Sequence, residues 1–130
     1  MAALISIVIT TYNRERYLGA AIESILSQTR GDFELLIWDD GSTDRSVDIA
    51  RCYEALDHRV RVIAAKHMGR VLALKAAVAQ TSGIYLGLVD SDDLLAPTAI
   101  EKTATVLDSS PEVGFVYTDY LDMEETGKIR

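Results

Sequence analysis

Three carboxylates follow a short apolar segment of this sequence, at Asp90, Asp92 and Asp93. Leu86 to Val89 have the composition of a buried strand, so the carboxylates come where that strand ends. Residues i and i+2 of an extended chain point the same way, which predicts that Asp90 and Asp92 converge. Such a cluster repels itself unless a cation binds, and oxygen ligands suit Mg²⁺ or Mn²⁺ bridging to a substrate phosphate. The alternative is a solvated acidic loop.

A second acidic strand end lies about fifty residues upstream, where Asp39 and Asp40 follow an apolar segment. Neighbouring residues in a strand point to opposite faces, so one carboxylate can cap the turn while the other reaches a ligand. We expect Asp40 to contact a uracil or ribose group and Asp39 to serve the local fold. The alternative is an ordinary strand-to-helix turn, which Gly41 would suit.

Further candidates follow the first predicted strand and lie on a predicted helix. Tyr12 can stack on a base, which is worth roughly 1–3 kcal/mol, or it can pack its loop against the first helix. Thr10 can hydrogen-bond the edge of the base, and Asn13 lies beside both residues. Arg70 and Lys75 either point at a diphosphate or form part of a solvated helix face.

Strand and helix patterns alternate along the whole chain. The predicted strands cover residues 4–10, 33–38, 60–65, 84–89 and 113–117, and the predicted helices cover 18–28, 44–56, 69–81 and 97–107. This alternation predicts an α/β fold with a Rossmann-like, mainly parallel sheet flanked by helices. Because ligands bind at the carboxyl ends of such strands, both acidic segments should meet at one edge.

Length and composition limit the classes of function. The chain has 130 residues, enough for one domain, and its 48% hydrophobic and 25% charged residues indicate a globular protein. A net charge of -7 argues against a nucleic-acid partner. The single Cys52 excludes an internal disulfide and is predicted to lie in the core. Without a signal peptide or an apolar run of about 20 residues, the expected location is cytoplasmic.

Five segments resemble family 2 glycosyltransferases of the GT-A fold, including the SpsA-like enzymes. They are IVITTYNR at 7–14, SILSQT at 24–29, DDGSTD at 39–44, SGIY at 82–85 and DSDD at 90–93. Each motif alone is weak evidence, but five in the family's order are specific. The resemblance covers essentially all 130 residues and implies a single nucleotide-diphospho-sugar-binding domain, the N-terminal portion of such an enzyme.

The resemblance implies an inverting transfer of a sugar from a nucleoside diphosphate donor, commonly UDP-linked, to a glycan or lipid acceptor, assisted by Mn²⁺ or Mg²⁺. By matched position, Tyr12 would stack on the base and Asp40 would hydrogen-bond the uracil. The metal ligands would be Asp92 and Asp93. The expected nucleotide-binding residues are Thr10, Tyr12, Asn13, Asp40, Arg70, Lys75, Asp90 and Asp92.

Two departures from the family pattern matter. Members often carry Ala-Arg-Asn where this chain has Ala-Leu-Lys at 73–75, so Arg70 or Lys75 would have to serve the phosphates. The family's general base lies downstream, in an acceptor-binding half, and Asp119 and Asp122 match no base position. We therefore expect a domain that is truncated on its acceptor side.

Three other expectations follow. The chain could be a non-catalytic nucleotide-sugar-binding or interaction module, because the acceptor half is missing. A phosphatase with an aspartyl nucleophile is disfavoured, because Leu94 stands where that class has Thr or Val and the motif is not on the leading strand. A sheet cut after its fifth strand would expose an edge, which predicts a homodimer or larger assembly.

Overall fold

The computed structural model describes residues 5–130, so Leu4, the predicted start of the first strand, lies outside the described residues. The elements are β1 (Ile5–Thr11), α1 (Leu18–Leu26), β2 (Phe33–Asp39), α2 (Ser46–Leu56), β3 (Val60–Ala64), α3 (Arg70–Val78), β4 (Tyr85–Leu88) and α4 (Ala99–Ser109). The predicted order of strands and helices is confirmed through α4.

The four strands form one parallel sheet in the order β3-β2-β1-β4. This confirms the predicted α/β class. Thr11 pairs with Asp39 and Val8 pairs with Leu88, so the carboxyl ends of β1, β2 and β4 lie at the same edge of the sheet. The residues that follow these three strands are therefore neighbours in space.

Helices cover both faces of the sheet, but unequally. On one face, side chains such as Ile7, Ile9 and Ile37 pack with α1, α2 and α4 in the larger core. On the other face, a smaller core joins the sheet to α3 through residues such as Leu36 and Ala73. Burial on both faces explains why the β1 and β2 segments are almost continuously apolar.

The fourth strand was predicted to be buried, and this is wrong for one of its faces. Leu86 and Leu88 are 46% and 55% exposed. Leu88 lies beside Val8, on the face that α3 covers, but α3 packs against β1 and β2. Within residues 5–130 no strand pairs with the outer edge of β4. The apolar composition of this segment did not reveal that α3, which covers this face of the sheet, packs on β1 and β2 and leaves β4 exposed.

The fifth predicted strand, at residues 113–117, is also wrong. Within the described chain this segment joins no ladder, and Phe115 and Tyr117 are exposed. β-Propensity makes a strand only where a neighbour offers hydrogen bonds. Beyond it lies a hairpin turn with a short return segment, since Met123 forms a bridge with Ile129 and Gly127 adopts a φ of +89°.

Helix lengths and faces differ in detail from the predictions. α1 ends at Leu26 instead of position 28, α3 is shorter at both ends, and α4 begins at Ala99. Cys52 is exposed and not in the core, because it lies two positions from the buried Ala50, about 200° around α2. Among the residues described, no helix has the length and apolarity that a membrane span requires.

Candidate functional site

A pocket of about 340 Å³ lies at the carboxyl edge of the sheet. Six of the predicted nucleotide-binding residues line it: Thr10, Tyr12, Asp40, Arg70, Asp90 and Asp92. A broader depression of about 460 Å³ lies on α1 around Glu23 and Ser27. The pocket at the strand ends is the better candidate, because charged groups from separate elements converge there and because this is where parallel sheets bind ligands.

An aromatic pair forms one side of the pocket. The Tyr12 and His67 rings meet edge to face, with centroids 4.4 Å apart and an interplanar angle of 77°. His67 Nδ1 lies 2.9 Å from the backbone oxygen of Asp40 and 3.0 Å from its Oδ2. Both atoms are acceptors, so Nδ1 carries a proton. His67 has no local sequence signal of such a role, because its partners lie 27 and 55 positions upstream.

The Asp40 carboxylate builds the wall of this pocket. It is 4% exposed, and its two oxygens accept hydrogen bonds from the backbone N–H groups of Met68 at 2.8 Å and Gly69 at 3.0 Å. Gly41 next to it has a φ of +80°, and a Cβ there would lie 2.7 Å from the backbone nitrogen of His67. Asp40 therefore holds the loop before α3 as well as facing the pocket.

Asp39 and Asn13 make hydrogen bonds within and between the loops that follow β1 and β2. The Asp39 oxygens accept hydrogen bonds from Ser42 N at 2.8 Å and Ser42 Oγ at 2.6 Å, which is the local role expected from the sequence. Asn13 has a φ of +51°, and its Oδ1 accepts from Thr43 N at 2.8 Å. Asn13 thus ties the β1 loop to the β2 loop, and the structure does not bring its side chain to the pocket lining.

The three carboxylates after β4 come together through a turn. The N–H of Asp93 donates to the carbonyl of Asp90 at 3.1 Å, and carboxylate oxygens of Asp90, Asp92 and Asp93 lie within 4.8 Å of one another. Burial, and then the charges of Asp92 and Asp90, raise the pKa of Asp93. The expected convergence is present, but strand alternation is the wrong reason, because the chain turns here. The closely held hard oxygen donors fit Mn²⁺ or Mg²⁺.

The two predicted cations are placed differently. Arg70 begins α3 and lies over the pocket, where its guanidinium donates to Asp90 Oδ1 at 2.8 Å. Lys75 lies in the last turn of α3, about 200° around the helix from the pocket-lining Ala73, so the structure does not bring it to the pocket. Arg14 lines the pocket and was not among the predicted site residues, although it belongs to the first motif.

Fold and site together define an α/β domain with a candidate ligand pocket at the carboxyl edge of a parallel sheet. Beside the pocket lies an acidic turn, which is the turn that carries Asp90, Asp92 and Asp93. Residues 6–130 match the model of glycosyl transferase family 2, and the chain belongs to that family. It is 37% identical over 126 residues to a chondroitin synthase of Escherichia coli, and 38% identical over 102 residues to the glycosyltransferase GlyG of Streptococcus pneumoniae.

These alignments cover 97% and 78% of this chain but only 18% and 34% of the two relatives. Among solved structures, Staphylococcus aureus TarS residues 1–349 in complex with UDP-GlcNAc aligns with a TM-score of 0.76 and 26% identity, covering 84% of this chain and 32% of that one. The mannosyltransferase PcManGT from Pyrobaculum calidifontis, in complex with GDP-Man and Mn²⁺, aligns with a TM-score of 0.77 over 88% of this chain and 34% of its own. At 19% identity, PcManGT shows a shared fold alone.

Proposed function

We propose that residues 1–130 form one nucleotide-sugar-binding domain that takes a donor, UDP-linked, into the pocket at the sheet edge. The parent activity would be inverting transfer of the sugar to a glycan or lipid acceptor. The observation that carries the proposal is the joining of an aromatic pair, at Tyr12 and His67, with an acidic turn in one pocket. The relative TarS was solved with UDP-GlcNAc, which supports a uridine donor.

The pocket offers distinct partners for the parts of the donor. Tyr12 would stack on the base and Thr10 would hydrogen-bond its edge. Oδ2 of Asp40 already meets the N–H of Gly69 and Nδ1 of His67. Oδ1 accepts the N–H of Met68 and keeps a second lone pair, which could accept an N–H from uracil. Arg14 and Arg70 are the guanidinium groups that would serve the diphosphate.

The charges in the pocket support the proposed metal dependence. A diphosphate brought beside three carboxylates would be repelled, and among residues 5–130 the cation that pairs with the turn is Arg70, on Asp90. Asp92 and Asp93 would hold Mn²⁺ or Mg²⁺, and Asp90 would lie at the ribose end. When bound, the metal would act as a Lewis acid that neutralises charge on the departing diphosphate.

We assign no general base. Asp119 and Asp122 are exposed in the segment after α4, away from the pocket lining. The chain spans 18% and 34% of the two relatives, so we propose sugar transfer as the activity of the parent protein. A binding module without transfer activity is the second candidate, favoured because each pocket-lining carboxylate within residues 5–130 is already assigned to the donor or the metal. For either candidate function, we propose a cytoplasmic location.

Calorimetric titration of UDP, with and without Mn²⁺, tests the donor site. The comparison is between the wild-type chain and the Asp92→Ala/Asp93→Ala variant, with Lys75→Ala as a control outside the pocket. We expect Mn²⁺ to strengthen UDP binding in the wild type and in the control, and to have no effect in the double variant. Absence of UDP binding in every condition would reject the proposed site.

A further inference from the structure

One family-like segment, SILSQT at residues 24–29, remains without a role in the pocket. The described pocket lining comes from the ends of β1, β2 and β4 and from the start of α3, whereas this segment forms the end of α1 and the turn after it. Its most buried polar side chain is Gln28, which is 8% exposed. A buried amide is costly unless its hydrogen-bonding groups are satisfied, so its partners indicate what it does.

The Gln28 amide joins α1 to the chain that follows the acidic turn. Its Nε2 donates to the carbonyl of Ala96 at 2.6 Å and to that of Ser24 at 3.0 Å. Its Oε1 accepts the N–H of Ile100 at 3.0 Å, in the first turn of α4. Thr98, the N-cap residue, makes no side-chain capping bond within the part of the chain described, so Gln28 caps α4 from outside the helix.

Two neighbouring contacts strengthen the same connection. The backbone N–H of Thr29 donates to the carbonyl of Pro97 at 3.0 Å, and the Leu95 N–H donates to Ser24 Oγ at 3.1 Å. Residues 95–97 have no regular secondary structure, so these bonds fix their path. Leu95 follows the last carboxylate, Asp93, by only two positions.

The acidic turn is therefore fixed on both sides. Upstream, the Val89 N–H donates to the carbonyl of Val8, which continues the β4 pairing. Downstream, the first fixed points are Leu95 and Ala96, both held by the end of α1. We propose that Gln28 is a positioning residue that sets the placement of Asp92 and Asp93, and hence the metal-dependent part of donor binding. This rests on the proposed function of the pocket.

The physical reason is the demand that the ion makes on its ligands. Mg²⁺ and similar ions require near-ideal geometry at about 2.0–2.1 Å, so a small displacement of the turn weakens coordination. The base side of the pocket is built by Asp40 and the loop at 67–69, which share no hydrogen bond with Gln28 in the described structure. Loss of Gln28 should therefore affect the metal side and spare the base side.

The test compares Gln28→Met, which keeps the length of the side chain without its hydrogen bonds, with Ser27→Ala. Ser27 is the neighbouring residue, and the hydrogen bond that its hydroxyl makes among the described residues goes back to α1, to the Glu23 carbonyl at 2.8 Å. Val60→Ala, at the first residue of β3 and with its side chain in the larger core, controls for a general loss of stability. UDP is titrated with and without Mn²⁺, and amide hydrogen exchange is measured at residues 90–98.

We expect Gln28→Met to reduce the Mn²⁺-dependent gain in UDP affinity by about tenfold or more, since small misplacements of reacting groups have effects of that order or larger. Metal-free UDP affinity should stay within about twofold, and exchange of the Asp93 amide should accelerate about tenfold, as expected for a locally loosened turn. Ser27→Ala and Val60→Ala should leave the Mn²⁺-dependent gain unchanged.

Two results would overturn the proposal: an unchanged Mn²⁺-dependent gain, or equal losses with and without metal that Val60→Ala reproduces. If the wild type binds no UDP, the donor-site proposal fails. Hydrogen exchange still decides on Gln28 in that case, because unchanged protection at residues 90–93 would show that Gln28 does not position the turn.

Discussion

Replacing Asp40 with Asn tests whether this side chain holds the wall of the pocket, apart from any contact that it makes with a ligand. In the structure both carboxylate oxygens accept backbone N–H groups, from Met68 and from Gly69, and the side chain is almost fully buried. Asn has the same shape but presents one acceptor oxygen and one NH₂ group. One of the two backbone donors would then face another donor.

The expected cost can be worked from these contacts. A hydrogen bond to a charged group contributes roughly 1.5–3 kcal/mol, and a buried donor left without a partner costs about 1–3 kcal/mol. The two effects overlap, because the lost bond and the orphaned N–H are the same group. We therefore expect Asp40→Asn to lower the free energy of unfolding by about 2–3 kcal/mol.

Urea denaturation followed by circular dichroism measures this change, with the slope m checked for constancy. The matched control is Asp90→Asn, since Asp90 lies in the same pocket but is exposed, and its salt-bridge partner within residues 5–130 is the exposed Arg70. That variant should lose at most about 0.5 kcal/mol, because surface ion pairs contribute little. If Asp40→Asn also lost less than about 0.5 kcal/mol, the structural role given to this carboxylate would be refuted.

Three further predictions concern the cations, the pH dependence and the assembly. Arg70→Ala should weaken UDP binding about tenfold, as the loss of a charged hydrogen bond does, while Lys75→Ala has no effect in the same titration. Hydrogen bonds from Arg59 lower the pKa of Asp57 to about 2, so this pair stabilises the fold above the usual carboxyl pKa, and the benefit is lost as pH falls toward 2. Thermal melts of Asp57→Asn should converge with wild type in that range, and a gap that widens on acidification would contradict this. The open outer edge of β4 and its exposed leucines predict self-association at tens of micromolar, which Leu88→Lys should reduce in light scattering, and a monomeric wild type would count against it.

The sequence was sufficient to predict the class of fold and the edge that carries the site. The β1 and β2 segments are almost continuously apolar, which is typical of strands covered on both faces, and the structure shows this burial. Acidic residues directly after β2 and β4 predicted a shared edge, because parallel strands place their carboxyl ends together. Local patterns were enough in these cases because each residue's role depends on its own element.

What the sequence did not reveal depends on partners that are distant along the chain. His67 has no local signal, yet it meets Tyr12 and Asp40 once β1, β2 and the loop before α3 come together. The 113–117 segment has strand propensity but no ladder partner within residues 5–130. Lys75 was a candidate by charge alone, and the phase of α3 turns it away from the pocket. Contacts across elements decided each of these outcomes.

The central claim is that nucleotide and metal share the pocket between the aromatic pair and the acidic turn. A crystal structure of this chain grown with UDP and Mn²⁺, with anomalous data collected at the manganese edge, tests it most directly. We predict an anomalous peak in contact with carboxylate oxygens of Asp92 and Asp93, bridged to the diphosphate, with the uracil stacked on Tyr12. Nucleotide bound elsewhere, or manganese bound away from this turn, would contradict the account.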